Sequence, residues 1–170
     1  MKTYAGGKLR ARLPWLALVV LFAASLVSKT WFVPLLGAVS FPMSDEHFFI
    51  ETAKSIFYTH TFLNPVFQSL FNMYYQVLFP LVIAPAYFFY SPEGIIPLLR
   101  TIGCVLMSLA IFPAYLLSLQ VLKNEWVAVF GAFLAVLVPE MTLAYTISQE
   151  TLFYPLFLLS LYLVYLDLQG

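Results

Sequence analysis

The stretch LPWLALVVLFAASLVSKTWFVPLLG, residues 13–37, has a single charged residue, Lys29, and is long enough to cross a bilayer as a helix. Four basic residues precede it, the densest such group in the chain: Lys2, Lys8, Arg10 and Arg12. Lysine and arginine are enriched on the cytoplasmic side of a span. We therefore expect residues 1–12 to form a cytoplasmic tail and Ser40 to lie outside.

A secretory signal peptide is the alternative interpretation of this beginning. Ala38-Val39-Ser40 has the small-x-small pattern of a cleavage site. The apolar stretch is, however, much longer than the roughly 7–15 residues of a signal-peptide core. An uncleaved membrane anchor is therefore expected.

The composition of the whole chain excludes most classes of soluble protein. Of its 170 residues, 62% are hydrophobic and 9% are charged, whereas soluble domains contain about 25% charged residues. The formal net charge is zero, so the chain has no basic excess with which to bind nucleic acid. One cysteine excludes a disulfide framework. We expect an all-α, multi-pass transmembrane helical bundle in the cell membrane, surrounded by membrane lipids and without a nucleic-acid partner.

Three further apolar stretches are predicted to cross the membrane, namely residues 95–122, 126–141 and 151–167. Residues 40–94 then form an outer loop. Within it, Ser44–Tyr58 is amphipathic, because five apolar residues share one helical face: Phe49, Ile50, Ala53, Ile56 and Phe57. This pattern predicts a helix that lies in the membrane interface.

The stretch MYYQVLFPLVIAPAYFFY, residues 73–90, is ambiguous. It is either a short span or a juxtamembrane helix, and Pro80 and Pro85 interrupt its backbone hydrogen bonds. If it crossed the membrane, Lys123 would lie outside, against the positive-inside rule. The charge pattern therefore favours four spans plus two juxtamembrane helices.

Two adjacent carboxylates, Asp45 and Glu46, follow the first predicted span. Such a pair can bind a divalent cation or act as a general base towards an acceptor hydroxyl. A structural role is equally compatible, because acidic residues in the first turn stabilise a helix and Ser44 is a suitable N-cap. His47 is more typical of a polar surface than of a third ligand.

Other ionisable residues are expected on the same side. Glu150 ends the polar segment YTISQE, where it completes a metal site, binds a sugar hydroxyl or is simply a solvated acid at the start of the last helix. Arg100 lies near the start of its span and either extends to a lipid headgroup or holds the phosphate of a lipid-linked substrate. Lys54 can share that phosphate, whereas Cys104 is expected to be a core residue.

The order of these features resembles the N-terminal part of the GT-C glycosyltransferases, of the family 39 type that uses polyprenyl-phosphate sugars. Residues 44–46 (SDE) match the acidic motif of the first extracytoplasmic loop. Residues 74–89 (YYQVLFPLVIAPAYFF) resemble a juxtamembrane segment of the type YPPLYPLLLAPAYL, without its first proline pair. Residues 98–103 (LLRTIG) match an arginine that opens a span, usually ARLLN. Residues 148–162 (SQETLFYPLFLLSLY) are similar to SENLFLPLFLLALYLL, and the resemblance covers about residues 12–168.

The resemblance implies transfer of a sugar from a polyprenyl-phosphate-linked donor to an acceptor at the extracytoplasmic face. It implies catalytic roles for Asp45, Glu46 and Glu150, with Asp45 as base or, together with Glu150, as metal ligand. Arg100 and Lys54 would bind the donor phosphate. Some relatives need a divalent cation such as Mg²⁺ or Mn²⁺ and others do not, so the cofactor stays open.

GT-C enzymes usually have many more spans than this chain. The chain is therefore expected to be the N-terminal module of a longer enzyme or to be completed by a partner subunit. Two alternatives to an enzyme stay open. One is a non-catalytic multi-pass scaffold or partner subunit, and the less favoured one is a small transporter.

Overall fold

The computed structural model describes residues 4–32, 44–62, 77–89, 94–137 and 146–169. The chain is all-α within these ranges, where no strand occurs. Its helices are α1 (Tyr4–Val27), α2 (Ser44–Thr59), α3 (Leu78–Ile83), α4 (Ile96–Ser108), α5 (Ile111–Leu122), α6 (Glu125–Val136) and α7 (Glu150–Asp167). A π-helical turn, Ser28–Phe32, continues α1, and a 3₁₀ turn, Ala84–Phe88, continues α3. The predicted all-α class is confirmed for this part of the chain.

Three segments are long and apolar enough to cross a membrane, namely Leu13–Trp31, Ile96–Leu122 and Glu150–Asp167. They coincide with three of the four predicted spans. Helix α6 has 12 residues, about 18 Å of helix, which is shorter than the roughly 30 Å of a hydrocarbon core. Residues 138–141 of the predicted span 126–141 lie outside the described residues. The chain therefore has the helices of a membrane protein, with three candidate spans.

The juxtamembrane stretch and the basic segment both have a helical structure. Residues 78–88 form an apolar element of 11 residues, too short to be a candidate span. Helix α1 begins at Tyr4, so the basic segment before Leu13 continues the first span as a helix. Most residues between Tyr4 and Leu13 are good helix formers, which explains the early start.

The predicted span 95–122 is broken into α4 and α5 at Leu109 and Ala110. Pro113 is the cause, because it has no N–H to donate to the carbonyl of Leu109. That carbonyl instead accepts a hydrogen bond from the N–H of Phe112 at 3.1 Å. The two helices together form a bent element of 27 residues.

A tight turn connects α5 to α6. Lys123 has a left-handed backbone (φ 53°), and its N–H donates to the carbonyl of Leu119 at 2.9 Å. The side chain of Asn124 then caps α6 by accepting the N–H groups of Trp126 and Val127 at 3.0 and 3.2 Å. This cap satisfies two of the donors that a helix start leaves open.

Close packing holds α5 and α6 together. Ala128 and Ala132 of α6 are fully buried. They belong to an apolar cluster that also contains Leu18 of α1 and Ile111 of α5. A β-carbon added to Gly131 would lie 2.6 Å from Oγ of Ser118. Small residues thus allow the two backbones to approach, as is common for helices in membranes.

A second set of buried apolar residues, here called the junction cluster, joins four segments. It comprises Phe49, Ala53, Phe79, Ile83, Ala84, Ala86, Tyr87, Ile95, Leu99, Ile147 and Leu152. These residues belong to α2, to α3 with its 3₁₀ turn, to the beginning of α4 and to the beginning of α7. The helix predicted over Ser44–Tyr58 is confirmed, and it is amphipathic, since Phe49 and Ala53 are buried while His47 and Tyr58 are exposed. Its place at the membrane interface stays a prediction. Its apolar face packs against α3.

Candidate functional site

An ion pair connects the beginning of α2 to α4. Oε1 of Glu46 lies 3.7 Å from Nη2 of Arg100, and the two side chains are 11% and 18% exposed. Glu46 is the third residue of α2, where the positive end of the helix dipole also favours a carboxylate. Because both groups are largely withdrawn from water, each depends on the other to compensate its charge.

The same carboxylate oxygen binds a third segment. Oε1 of Glu46 accepts a hydrogen bond from the backbone N–H of Ile147 at 3.2 Å, across 101 positions of sequence. Ile147 is 1% exposed and precedes α7 by three residues. Glu46, Arg100 and Ile147 are called the Glu46 junction below.

The junction cluster explains why these three groups meet. Phe49 lies one turn after Glu46, and Ile95 and Leu99 lie beside Arg100, and all three are buried in that cluster. Their burial is favourable because it removes apolar surface from water. It fixes the two helices against each other, so that the polar groups at their ends come within reach.

The segment between Ile147 and α7 brings more polar groups to the Glu46 junction. Oγ1 of Thr151 donates to the carbonyl of Ser148 at 2.7 Å, which closes the turn that starts α7. Oγ of Ser148 and Oε1 of Gln149 are both buried, and neither has a hydrogen-bond partner among the described residues. Buried polar atoms are normally hydrogen-bonded, so these two are expected to have partners beyond the described residues.

The other predicted site residues have different surroundings. Glu150 is the first residue of α7 and is exposed, close in sequence to the Glu46 junction. Asp45 belongs to α2, next to Glu46, and its side chain lies outside the described part of the structure. Nζ of Lys54 pairs with Oε2 of Glu51 at 3.5 Å, about 12 Å along α2 from Glu46. The structure thus brings Glu46 and Arg100 together and gives Lys54 a different partner. Glu150 follows Ile147 by three residues.

The predicted metal site stays a prediction. Among the described side chains, no group of three or more histidine, cysteine, aspartate and glutamate residues could hold a metal ion. Asp45, one of the two predicted ligands, is not among those side chains. Glu46, beside it, is engaged with a guanidinium and a backbone N–H.

Tyr87 was not predicted from the sequence, although it supports α2 next to the site. Its hydroxyl donates to the carbonyl of Ile50 at 3.1 Å, and its side chain is 4% exposed. Burial raises the pKa of Tyr87 to about 12, and the neighbouring charge of Glu51 adds to this shift. The hydroxyl therefore stays protonated and remains a donor at neutral pH.

The pairing of Glu46 with Arg100 was also not predicted from the sequence. Both residues were expected on one side of the membrane, one as a catalytic acid and the other as a phosphate ligand. The sequence did contain a signal for the pairing, because the two residues have opposite charges and both lie next to apolar stretches. Comparison of the chain with protein-family models, with curated proteins and with solved structures gave no match.

Proposed function

We propose that this chain is a glycosyltransferase of the GT-C type, or its N-terminal module, which uses a polyprenyl-phosphate-linked sugar. The observation that supports this best is the meeting of the four segments that resemble GT-C motifs. The acidic segment and the arginine-containing segment meet through Glu46 and Arg100. The C-terminal motif, residues 148–162, joins them through Ile147, the residue directly before it. The juxtamembrane segment contributes Phe79 and Tyr87 to the same junction cluster. Motifs far apart in sequence that converge at one point are typical of an active site.

The arrangement of the ends of the helices supports a topology of four spans. At one end, Glu46 contacts both Arg100 of α4 and the start of α7. At the other end, the hydroxyl of Tyr165 in α7 donates to the carbonyl of Gln120 in α5 at 3.4 Å. The element Ile96–Leu122 and helix α7 therefore run in the same direction. The chain between them has to return across the membrane, which favours a span over residues 126–141.

This topology gives the Glu46 junction a specific depth. With the N-terminus in the cytoplasm, the beginnings of α4 and α7 lie at the extracytoplasmic surface, together with α2 and α3. A polyprenyl-phosphate donor has its phosphate at that level and its tail in hydrocarbon. The donor thus reaches Arg100 by lateral diffusion in the bilayer.

The proposed chemistry needs a base, a phosphate ligand and an acceptor ligand. A hydroxyl of the acceptor attacks the anomeric carbon while the bond from that carbon to the phosphate oxygen breaks. Asp45 takes the proton of the attacking hydroxyl, and the polyprenyl phosphate leaves as an anion. Arg100 donates hydrogen bonds to the phosphate, where its planar guanidinium suits the oxygen geometry. Glu150, exposed at the start of α7, accepts from a hydroxyl of the acceptor.

The experiment that tests this function is a transfer assay in membranes that contain the protein in its natural context. Polyprenyl-phosphate sugars are supplied as donors, and release of the free polyprenyl phosphate is measured. Asp45→Asn should reduce release by at least about a hundredfold, which is a usual effect of removing a general base. Glu150→Gln should reduce it by about tenfold, through a weaker hydrogen bond to the acceptor. Glu125→Gln is the control, because Glu125 is an exposed acid that starts α6 at the opposite end. Unchanged release by both site variants, at normal membrane insertion, would overturn the proposal.

A non-catalytic partner subunit is the second candidate function. It is favoured by the mutual compensation of Glu46 and Arg100, which is also what a structural ion pair requires. The same variants separate the two functions. In a scaffold, Asp45→Asn leaves the associated activity unchanged, while disruption of the buried α5–α6 contact at Gly131 abolishes assembly.

A further inference from the structure

Glu46 occupies the guanidinium that the proposed function assigns to the donor phosphate. Its Oε1 lies 3.7 Å from Nη2 of Arg100. A charge-assisted hydrogen bond between such groups is normally about 2.7–2.9 Å long. The contact is therefore an ion pair rather than a direct hydrogen bond, and an anion that approaches Arg100 more closely can replace Glu46.

A phosphate group is such an anion. Its oxygens fit the planar fork of a guanidinium, which can donate two parallel hydrogen bonds to them. The two side chains keep a small exposed fraction, 11% for Glu46 and 18% for Arg100. The pair is thus not sealed inside the protein, and exchange of one anion for another does not require the apolar core to open.

Glu46 retains two favourable interactions after such an exchange. Its Oε1 accepts the N–H of Ile147 at 3.2 Å. Its carboxylate also lies in the first turn of α2, at the positive end of the helix dipole. Once Arg100 no longer neutralises the carboxylate, its charge acts on these two groups alone. We therefore expect the hydrogen bond to Ile147 to become stronger, because the surroundings are largely withdrawn from water.

We propose that Glu46 is a positioning residue, which holds Arg100 until the donor phosphate replaces it. The displaced carboxylate then tightens its hydrogen bond to Ile147. Ile147 precedes Glu150, the proposed ligand of the acceptor, by three residues. Donor binding thereby fixes the segment that receives the acceptor, and the donor binds first. This inference rests on the proposed function, since it assigns the order in which that site takes its two substrates.

The exchange has a consequence for affinity that a supporting role of Glu46 does not have. While Glu46 is ionised, it competes with the phosphate for Arg100 and repels the like charge. Removal of its charge should therefore strengthen the binding of a lipid phosphate, although it weakens the fold. If Glu46 only oriented Arg100 for the phosphate, the same change would weaken binding.

Binding of polyprenyl monophosphate to the full chain in detergent tests the exchange. This lipid is the released product of the proposed reaction, so it has the relevant phosphate and does not react further. Polyprenol, which has no phosphate, is the ligand control. Glu46→Gln removes the charge and retains an acceptor for Ile147. Glu51→Gln is the matched control variant, because Glu51 lies in the same helix and pairs with Lys54 at 3.5 Å.

Glu46→Gln should bind polyprenyl monophosphate at least about fivefold more tightly than the wild-type protein does. The Kd of polyprenol should not change. Arg100→Met should weaken binding of polyprenyl monophosphate by at least about tenfold. Glu46→Gln added to Arg100→Met should then bring no gain in affinity, because the competition requires the guanidinium. Glu51→Gln should bind like the wild-type protein.

Amide hydrogen exchange tests the connection to Ile147. Polyprenyl monophosphate should slow the exchange of the Ile147 N–H in the wild-type protein by about threefold or more. It should have no such effect in Glu46→Gln, whose side chain has no charge for the lipid to release. The measurement on the wild-type protein also tests the proposal if Glu46→Gln does not fold.

Three results would overturn the proposal. They are weaker or unchanged lipid binding by Glu46→Gln, an equal gain in affinity by Glu51→Gln, and unchanged or faster exchange of the Ile147 N–H when the lipid binds. If one of them is found while Asp45→Asn abolishes sugar transfer, the transferase stands and the role of Glu46 is wrong. If the expected binding is found but no donor is turned over, the reverse holds. A wild-type protein that does not bind polyprenyl monophosphate would contradict both.

Discussion

Glu46 and Arg100 are 3.7 Å apart between Oε1 and Nη2, and they come from helices that are far apart in the sequence. The pair lies where the beginnings of α2, α4 and α7 meet, because Oε1 of Glu46 also accepts the N–H of Ile147. A single carboxylate therefore compensates a charge and holds a backbone segment. Its removal affects both contacts, whereas removal of Arg100 affects one.

Substitutions at this pair should separate its two contacts by their effect on stability. Glu46→Ala removes the acceptor of Ile147 and leaves Arg100 uncompensated, so we expect a loss of about 2–4 kcal/mol in the free energy of unfolding. Glu46→Gln retains an acceptor for the N–H of Ile147 and should cost about half as much. The measurement is chemical denaturation in detergent micelles.

A double-mutant cycle is the control for that interpretation. Arg100→Met removes the guanidinium and retains an apolar stem. If Glu46 and Arg100 interact, the double variant Glu46→Gln/Arg100→Met should lose less free energy of unfolding than the two single variants lose together. The difference should be about 1 kcal/mol or more. Additive effects within error would show that the pair makes no net contribution.

The stability of the α2–α3 contact should decrease at high pH because of Tyr87. Its pKa is raised to about 12 in the folded protein, from about 10 in the unfolded chain. The protonated form is thus the one that folding favours. Protonated Tyr87 contributes fully to the free energy of unfolding below pH 10, and this contribution is lost as the pH rises towards 12. The Tm, measured from pH 8 to pH 12, should therefore decrease between pH 10 and pH 12.

Tyr87→Phe is the matched variant for this pH dependence. It removes the hydrogen bond to the carbonyl of Ile50, so we expect a loss of about 1 kcal/mol at neutral pH. Between pH 10 and pH 12 the Tm of Tyr87→Phe should decrease less than the Tm of the wild-type protein. Tyr162→Phe, in helix α7, is the control. Equal pH profiles for Tyr87→Phe and the original chain would contradict the assignment.

Much of the fold follows from the apolar pattern of the sequence. Runs such as residues 13–31 and 151–167 have to be helical in a bilayer, since only internal hydrogen bonds satisfy their backbone. The amphipathic period of residues 44–58 predicted α2 independently, because its apolar residues recur at helical spacing. The break between α4 and α5 was not predicted, although Pro113 is a sufficient signal for it. The packing of α2 against α3 was also not predicted, because an apolar face does not specify whether lipid or protein covers it.

The candidate site was predictable only as a set of separate residues. Glu46, Arg100 and Glu150 stood out because ionisable groups beside apolar stretches are uncommon. Which of them meet depends on the packing of three helix ends, and this information is not local in the sequence. The burial of Lys29 against Ser25 was not predicted, because a lysine in an apolar stretch usually extends to the headgroups.

Enlarging Gly131 should separate α5 from α6. A β-carbon added at Gly131 would lie 2.6 Å from Oγ and 3.2 Å from the β-carbon of Ser118. The hydroxyl of Ser118 can rotate away, but the β-carbon cannot, so the contact stays tight. Gly131→Leu should reduce the free energy of unfolding by about 1–3 kcal/mol through overpacking. Gly131→Ala should reduce it less, and Ser118→Gly should relieve that smaller loss. Phe130→Leu, at an exposed neighbour, is the control, and a stabilising effect of Gly131→Leu would contradict the close contact.

The proposed four spans predict which side of the membrane each turn faces. His60 and Lys123 are both exposed, and the topology assigns His60 to the outside and Lys123 to the cytoplasm. Single cysteines at these positions, in a Cys104→Ser background, are labelled in intact cells with a membrane-impermeant maleimide. His60→Cys should react at once, and Lys123→Cys only after the membrane is permeabilised. Gln169→Cys should behave like Lys123→Cys, because Tyr165 connects the end of α7 to Gln120. Labelling of both His60→Cys and Lys123→Cys in intact cells would mean that a further crossing lies between them, with residues 77–89 as part of a span. Labelling of Lys123→Cys without His60→Cys would mean that the whole chain has the opposite orientation.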